Sequence, residues 1–256
     1  MQIGEICSFF DQLLELEKFA ADPSNNGLQL CFDSTAECGK IAFAVDAALA
    51  TAERAAAENA DLLVVHHGLS WGGGLRRWNG MAGKRLGTMF KNDLSLYAVH
   101  LPLDAHSKYG NNAVLANMIN LEDREMFFAY HNMDIGIIGN IADALEPEVL
   151  AQAAAGSGKD FVLCKSPLKD SPVRRVAVIS GGGGADGLES AVAAGADMLI
   201  TGEFDHTMYH TVQECPIHVA ALGHYNSEVH GVQSLQKLVQ EKFGTDTVFI
   251  DVPTGF

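Results

Sequence analysis

The chain has 256 residues, 48% of them hydrophobic, and its 17 basic and 32 acidic side chains give a formal charge of −15. That length supports one large or two small domains with a sizeable core, whereas so acidic a surface repels phosphate backbones and argues against nucleic acid as a partner. Small anionic substrates stay open, because a bound cation reverses the field locally, and no run approaches the ~18 apolar residues that would cross a bilayer.

Taken in chain order, the N-terminal MQIGEICSFFDQLLELEKFA lacks a basic leader and alternates acids with apolar residues, which predicts an amphipathic helix rather than a signal peptide. IAFAV (41–45) reads as a buried strand, ALATAERAAAEN (48–59) as a helix and DLLVVH (61–66) as a second buried strand. Short apolar runs flanking a helix indicate a βαβ unit with a parallel pair. WGGGLRRWNG (71–80) follows. Its Arg76 and Arg77 suit an anionic substrate and Trp78 suits stacking on a ring; the other reading is a solvated loop packed on a neighbouring subunit. A helix or loop and another strand complete this half, ending in YAVHLPLDAH.

In the middle segment, Phe127–Tyr130 and Ile135–Ile138 read as strands joined by a turn, and Pro147 suits the first turn of a helix over 147–155. RRVAVISGGGGADGLESAVAAGADMLITGE (174–203) repeats the strand–helix–strand pattern. Ala60-Asp61-Leu62-Leu63 aligns with Ala196-Asp197-Met198-Leu199 without a gap, and His67 then falls on Glu203. The helical spacing of Val229, Val232, Leu235, Leu238, Val239 and Phe243 predicts a helix stopped by Gly244, before a last strand in TVFID. The expectation is an α/β fold of two similar, interlocked α/β domains, residues 1–125 with 226–256 and residues 126–225.

Five cysteines with no CxxC pair argue against a disulfide framework and for a reducing compartment, the cytoplasm. Cys31 and Cys38 read as free thiols rather than a metal pair.

Polar residues gather just beyond apolar strands, where open α/β sheets bind their ligands. His66, His67, Asp104, His224 and Glu228 carry the nitrogen and oxygen donors that zinc, manganese, iron and nickel take. Each half holds a histidine four residues before a carboxylate, His100 with Asp104 and His224 with Glu228. Spacing alone leaves His66-His67 open. On a strand the two side chains alternate faces, so both ligate only if the strand ends there; otherwise they belong to a partly buried polar loop. His100 either orients a ligand and moves protons or is a hydrogen-bonded core histidine. His106, His206 and His210 read as surface or interdomain residues, and Glu203 suits a place behind a ligand. GGGADG (182–187), which overlaps the 181–184 glycine run, formally fits a phosphate-binding turn, but a tight turn facing the domain junction is the better reading.

SNNGLQ (24–29), VD (45–46), LLVVHHG (62–68), YAVHLPLDAHSKYGNN (97–112), ITGE (200–203) and GHYNSE (223–228), in this order, resemble the NIF-three-like proteins, often labelled GTP cyclohydrolase 1 type 2 homologues. The resemblance implies a dinuclear metal site at the junction of two α/β domains. Its ligands would be His66, His67, Asp104, His224 and Glu228, with Glu228 bridging the two ions. It also implies a toroidal homohexamer and, by the label, GTP ring opening. Five ligands without a thiolate argue against a closed structural zinc site, and two divalent ions about 3.5–4 Å apart clamp a phosphate or carbonyl oxygen. The function expected is a metal-dependent hydrolase of a nucleotide-like or other small anionic substrate, with His100 as the catalytic proton carrier. The alternative is a non-catalytic metal-delivery or regulatory protein.

Overall fold

The computed structural model describes residues 1–73 and 77–255. Arg76, expected to meet an anion, lies outside the described residues. The chain starts with helix α1 (Ile3–Leu13) and edge strand β1 (Gly27–Leu30), then runs β2 (Lys40–Asp46), α2 (Leu49–Ala57), β3 (Leu62–His67), α3 (Gly80–Lys91), β4 (Ser95–Ala98) and the short α4 (Leu101–Ala105). Next come α5 (Asn111–Met118), β5 (Glu122–Tyr130), β6 (Met133–Leu145), α6 (Pro147–Ala155) and β7 (Val162–Cys164). The second strand–helix series is β8 (Val173–Ile179), α7 (Gly184–Ala193), β9 (Met198–Thr201), α8 (Met208–Glu214) and β10 (His218–Ala221), before α9 (His224–Phe243) and β11 (Asp246–Phe249).

Two compact units result, Met1–Leu103 with Gly231–Val252 and Asp104–His230 with the end of the chain from Pro253. The expected boundary near residue 125 and the break after Leu103 differ by the segment carrying α5, whose Ala113, Leu115 and Ala116 share a core with Ile137, Leu150 and Val176.

The first unit is a five-stranded sheet in the order β1-β4-β3-β2-β11. All its neighbours are parallel except the edge pair β1–β4. Leu62, Leu63, Val64 and Val65 are all fully buried. That is what a parallel strand covered on both faces requires, and it is why the sequence runs apolar there instead of alternating.

The second unit is a six-stranded sheet in the order β5-β6-β8-β9-β10-β7. Its centre, β8-β9-β10, is parallel, and β7 closes one edge antiparallel to β10, as β1 does to β4 in the first unit. Val176, Val178, Met198 and Ile200 feed one core, while Ala177, Ile179 and Leu199 feed another. The β5–β6 hairpin turns at His131 and Asn132, both with positive φ (49° and 64°), the twist that a two-residue hairpin turn favours.

The internal repeat is visible in its hydrogen bonds. Asp61 Oδ2 accepts the backbone N–H groups of Gly39 and Lys40 at 2.8 and 3.0 Å. The aligned Asp197 Oδ2 accepts those of Arg174 and Arg175, both at 2.8 Å. Each aspartate thereby fixes the entry of one parallel strand beside its neighbour. Helix α6 spans the residues expected from Pro147, and Gly244 (φ 65°) ends α9 as expected. All five cysteines are free, and among the described residues no helix is long and apolar enough to cross a membrane.

Candidate metal centre

In the first unit β3 carries both paired histidines and remains in register with β2 as far as His67, and the two rings lie side by side at its end, with centroids 4.6 Å apart. His100, just before α4, brings a third ring, 5.1 Å from His66 and 5.7 Å from His67. One ligand nitrogen from each of these three histidines lies within 4.8 Å of the others.

All three rings are oriented in the same way. His66 is fully buried, and its Nδ1 sits 2.9 Å from the Val99 carbonyl oxygen. His67 Nδ1 sits 2.9 Å from Asp46 Oδ1, and His100 Nδ1 sits 2.9 Å from Asp22 Oδ1. A carbonyl or carboxylate on Nδ1 makes that nitrogen the proton donor and puts the coordinating lone pair on Nε2.

Asp22 anchors this arrangement. Its Oδ1 accepts from Ser24 N–H, and its Oδ2 accepts from the Asn26 side-chain amide and the Leu101 N–H. Burial pushes its pKa up, but the hydrogen bond and charge of His100, with the Asn26 and Ser24 bonds, outweigh this and hold the carboxyl below its usual range. SNNGLQ braces the same loops. Asn26 Oδ1 accepts the His100 N–H, and Gln29 Oε1 accepts those of Leu69 and Ser70 beyond the histidine pair.

The second unit has candidate ligands of its own, carboxylates and one histidine. Asp104, 5% exposed, accepts on Oδ1 from the Asn111 amide and the Ser180 hydroxyl, each at 2.9 Å. His224 and Glu228 stand one turn apart at the start of α9, with Nε2 and Oε1 separated by 3.2 Å. His224 Nδ1 bonds Glu203 Oε1 at 2.7 Å, so Glu203 stands behind a histidine as Asp46 and Asp22 do. The hydrogen bond that the His224 ring donates to Glu228 is the main cause that raises the His224 pKa to about 9; burial opposes it, and Glu203 adds to it.

The glycine run gives this carboxylate its room. Gly181 (φ 63°) packs so closely on Glu228 that a Cβ would collide with Oε1, and the Gly181 carbonyl accepts the N–H groups of Gly202 and Glu203. The run leads from β8 into the first residue of α7.

The remaining expected residues fall elsewhere. His206 and His210 are exposed, and His106 Nδ1 accepts the N–H groups of Lys108 and Tyr109. Arg77 is exposed, and Trp78 is 57% exposed on a separate apolar cavity with Leu86 and Phe90. Sequence reasoning missed Asp22, Asn111 and Ser180. Asp22 did carry a signal, because Asp-Pro-Ser marks a turn in which the aspartate bonds the N–H two residues on; Asn111 stood at the end of the YAVHLPLDAHSKYGNN motif without a role given to it, and Ser180 carried no signal.

Within each unit these are nitrogen and oxygen donors of the kind a borderline or hard divalent cation takes, three imidazoles in the first and an imidazole with carboxylates in the second. The comparisons with known proteins agree with these motifs. The Duf34/NIF3 (NGG1p interacting factor 3) family profile matches residues 1–254. A relative from Archaeoglobus fulgidus, described as "GTP cyclohydrolase 1 type 2 homolog", is 43% identical over 100% of both chains. Among solved structures, protein ybgI, whose title gives its function as unknown, superposes with a TM-score of 0.88 at 31% identity over 99% of both chains. Protein TTHA1606 from Thermus thermophilus gives 0.83 at 33% identity over 100% of both. The family profile's match over nearly the whole chain, with a relative 43% identical over its full length, means that the chain belongs to the Duf34/NIF3 family.

Proposed function

We propose that the protein is a metal-dependent hydrolase in which His66, His67, Asp104, His224 and Glu228 hold two divalent cations, with zinc, iron, manganese and nickel as the candidates. The observation that carries this reading is the shared orientation of four histidines. His66, His67, His100 and His224 each engage an oxygen through Nδ1 at 2.7–2.9 Å, which leaves Nε2 as the ligand nitrogen of His66, His67 and His224 and as the proton-carrying nitrogen of His100. A pair of bound divalent ions supplies Lewis-acid polarisation and lowers the pKa of water.

The chain's own residues do the rest. Asp46 and Glu203 hold the rings of His67 and His224, and Ser180 with Asn111 fixes Asp104. His100, held by Asp22 and 16% exposed at its side chain, carries a proton on Nε2 to or from the leaving group. The chain's charge of −15 disfavours polyanions at large, so the substrate is small, nucleotide-like or otherwise anionic at one end, and meets its countercharge at the cations. A cytoplasmic homohexamer is the assembly expected from the family.

The test is metal analysis of protein purified without an affinity tag, followed by a nucleotide panel on the wild type, His66→Ala and Glu228→Ala. Joint loss of metal and turnover in the variants supports the hydrolase. Metal in the wild type with no turnover in any sample favours metal delivery or regulation. A wild type devoid of divalent metal overturns both.

A further inference from the structure

The first unit contains a cleft of about 630 Å³, between α3 and the edge strands β1 and β4, that none of the candidate metal ligands lines. Its volume is that of a small-ligand site. Leu30, Leu69, Leu86 and Leu96 form its walls, and Trp78 and Phe90 line it while staying exposed. The polar groups of the lining already serve one another. Gln29 Oε1 accepts the N–H groups of Leu69 and Ser70, Gln29 Nε2 donates to the Asn25 and Ser70 carbonyls, and Ser70 Oγ accepts from the Asn25 side-chain amide. Such walls suit an apolar body that needs no hydrogen bond.

Helix α3 keeps this space open. Gly83, Leu86, Gly87 and Phe90 recur at the spacing of one helix face, and all four line the cleft. Gly83 has a packing reason, since a Cβ there would lie 3.2 Å from the Trp78 carbonyl oxygen. Gly87 has no such reason, because a Cβ there would meet no atom within 4 Å. Glycine inside a helix is destabilising relative to alanine. A position open to a side chain and yet left bare preserves volume for an occupant.

The charge beside the cleft is opposite to that of the chain. Residues 77–92 hold Arg77, Lys84, Arg85 and Lys91 and no acid, in a chain of −15. Lys84 and Lys91 directly follow Gly83 and Phe90, and they share the adjoining stripe of α3 about two turns apart. Lys18, Lys40, Lys165, Lys169 and Lys237 each hold a carboxylate partner, whereas among the described residues Lys84 and Lys91 hold none, and both are exposed. Cations left without a countercharge beside an apolar cleft complement an anion.

We propose that this cleft binds a small amphiphile, a medium-length hydrocarbon chain ending in a carboxylate. The chain lies between α3 and the β1–β4 edge, and the carboxylate meets Lys84 and Lys91. This is a second ligand site, and it does not depend on the reading of the metal centre.

Isothermal titration calorimetry of the full chain with decanoate, decanol and decyltrimethylammonium, all below their micellar concentrations, tests it before and after chelation of metal. Decanoate should bind about tenfold more tightly than decanol, and decyltrimethylammonium least. Gly87→Leu, whose side chain has open space to enter, should raise the melting temperature and weaken decanoate binding about tenfold. Lys84→Gln combined with Lys91→Gln should bring decanoate down to the affinity of decanol and leave decanol itself unchanged. Equal affinity for all the head groups, or decanoate binding untouched by Gly87→Leu, overturns the proposal. Decanoate binding that vanishes on chelation overturns it too, because the carboxylate then belongs to the metal centre. If no probe binds, the proposal fails, and a change of oligomeric state in Gly87→Leu, read by light scattering, would reassign the cleft to contact between copies of the chain.

Discussion

Asp46 and His67 are register partners on the parallel strands β2 and β3, and their side chains meet across that register with Oδ1 2.9 Å from Nδ1. The sheet itself therefore sets the tautomer of a candidate ligand. A carboxylate in that position also strengthens the imidazole as a donor. Asp46→Asn should lower divalent-metal affinity about 10- to 100-fold without unfolding the chain, as read by competition with a chromogenic chelator and by an unchanged circular dichroism spectrum. Unaltered affinity would remove Asp46 from the site.

Asp22 is a support of a different kind. Its side chain is fully buried and accepts four donors, from His100, Ser24, Asn26 and Leu101. Asp22→Ala strands all of them, including two backbone N–H groups, so unfolding free energy in urea should fall by about 3 kcal/mol or more. A loss below about 1 kcal/mol would show that water replaces the carboxylate at little cost.

Gly181 is held by two independent constraints, a φ of 63° and the approach of Glu228. A side chain there is strained by the backbone and collides with the carboxylate. Gly181→Ala should cost more than about 1 kcal/mol and displace Glu228, so metal stoichiometry should fall along with the melting temperature. Stability lost with metal content intact would separate Glu228 from the ligand set.

The pH dependence at the alkaline end follows from two thiols. Burial is the main cause that pushes Cys7 and Cys38 up to about 12 from 9.0, with nearby acids adding to it. Unfolded, they ionise near 9; folded, they stay protonated, so the stability they contribute is full below pH 9 and is lost as pH rises toward 12. The expected slope there is about 1.4 kcal/mol per pH unit for each thiol, measured by urea titration between about pH 8 and 11. At a pH of about 8 a thiol reagent should label Cys31, Cys164 and Cys215, which are partly exposed, well before Cys7 and Cys38, which are 3% and 5% exposed. Equal labelling rates would contradict the buried placement.

The sequence by itself determined the layers of this protein. Leu62–Val65 and Val176–Ile179 read as strands covered on both faces because a parallel strand has no solvent face to mark with polar residues. The Asp61/Asp197 correspondence foretold the repeated unit, because the same backbone entry needs the same carboxylate. Motif order pointed to His66, His67, Asp104, His224 and Glu228. The three-residue β7 and the four-residue β1 were not legible, since such short edge pieces are defined by their partners β10 and β4 rather than by their own composition. Only the tertiary structure decided that the His66 and His67 rings come together, because that depends on how the end of β3 is held, paired with β2 as far as His67 but with β4 only as far as Val65. It also decided who stands behind each histidine. Val99 offers a backbone carbonyl that no motif can record, and Asp22 comes from a turn 78 residues before His100. A hydrogen bond of 2.9 Å is set by the packing that brings distant segments together, and sequence spacing does not encode that distance.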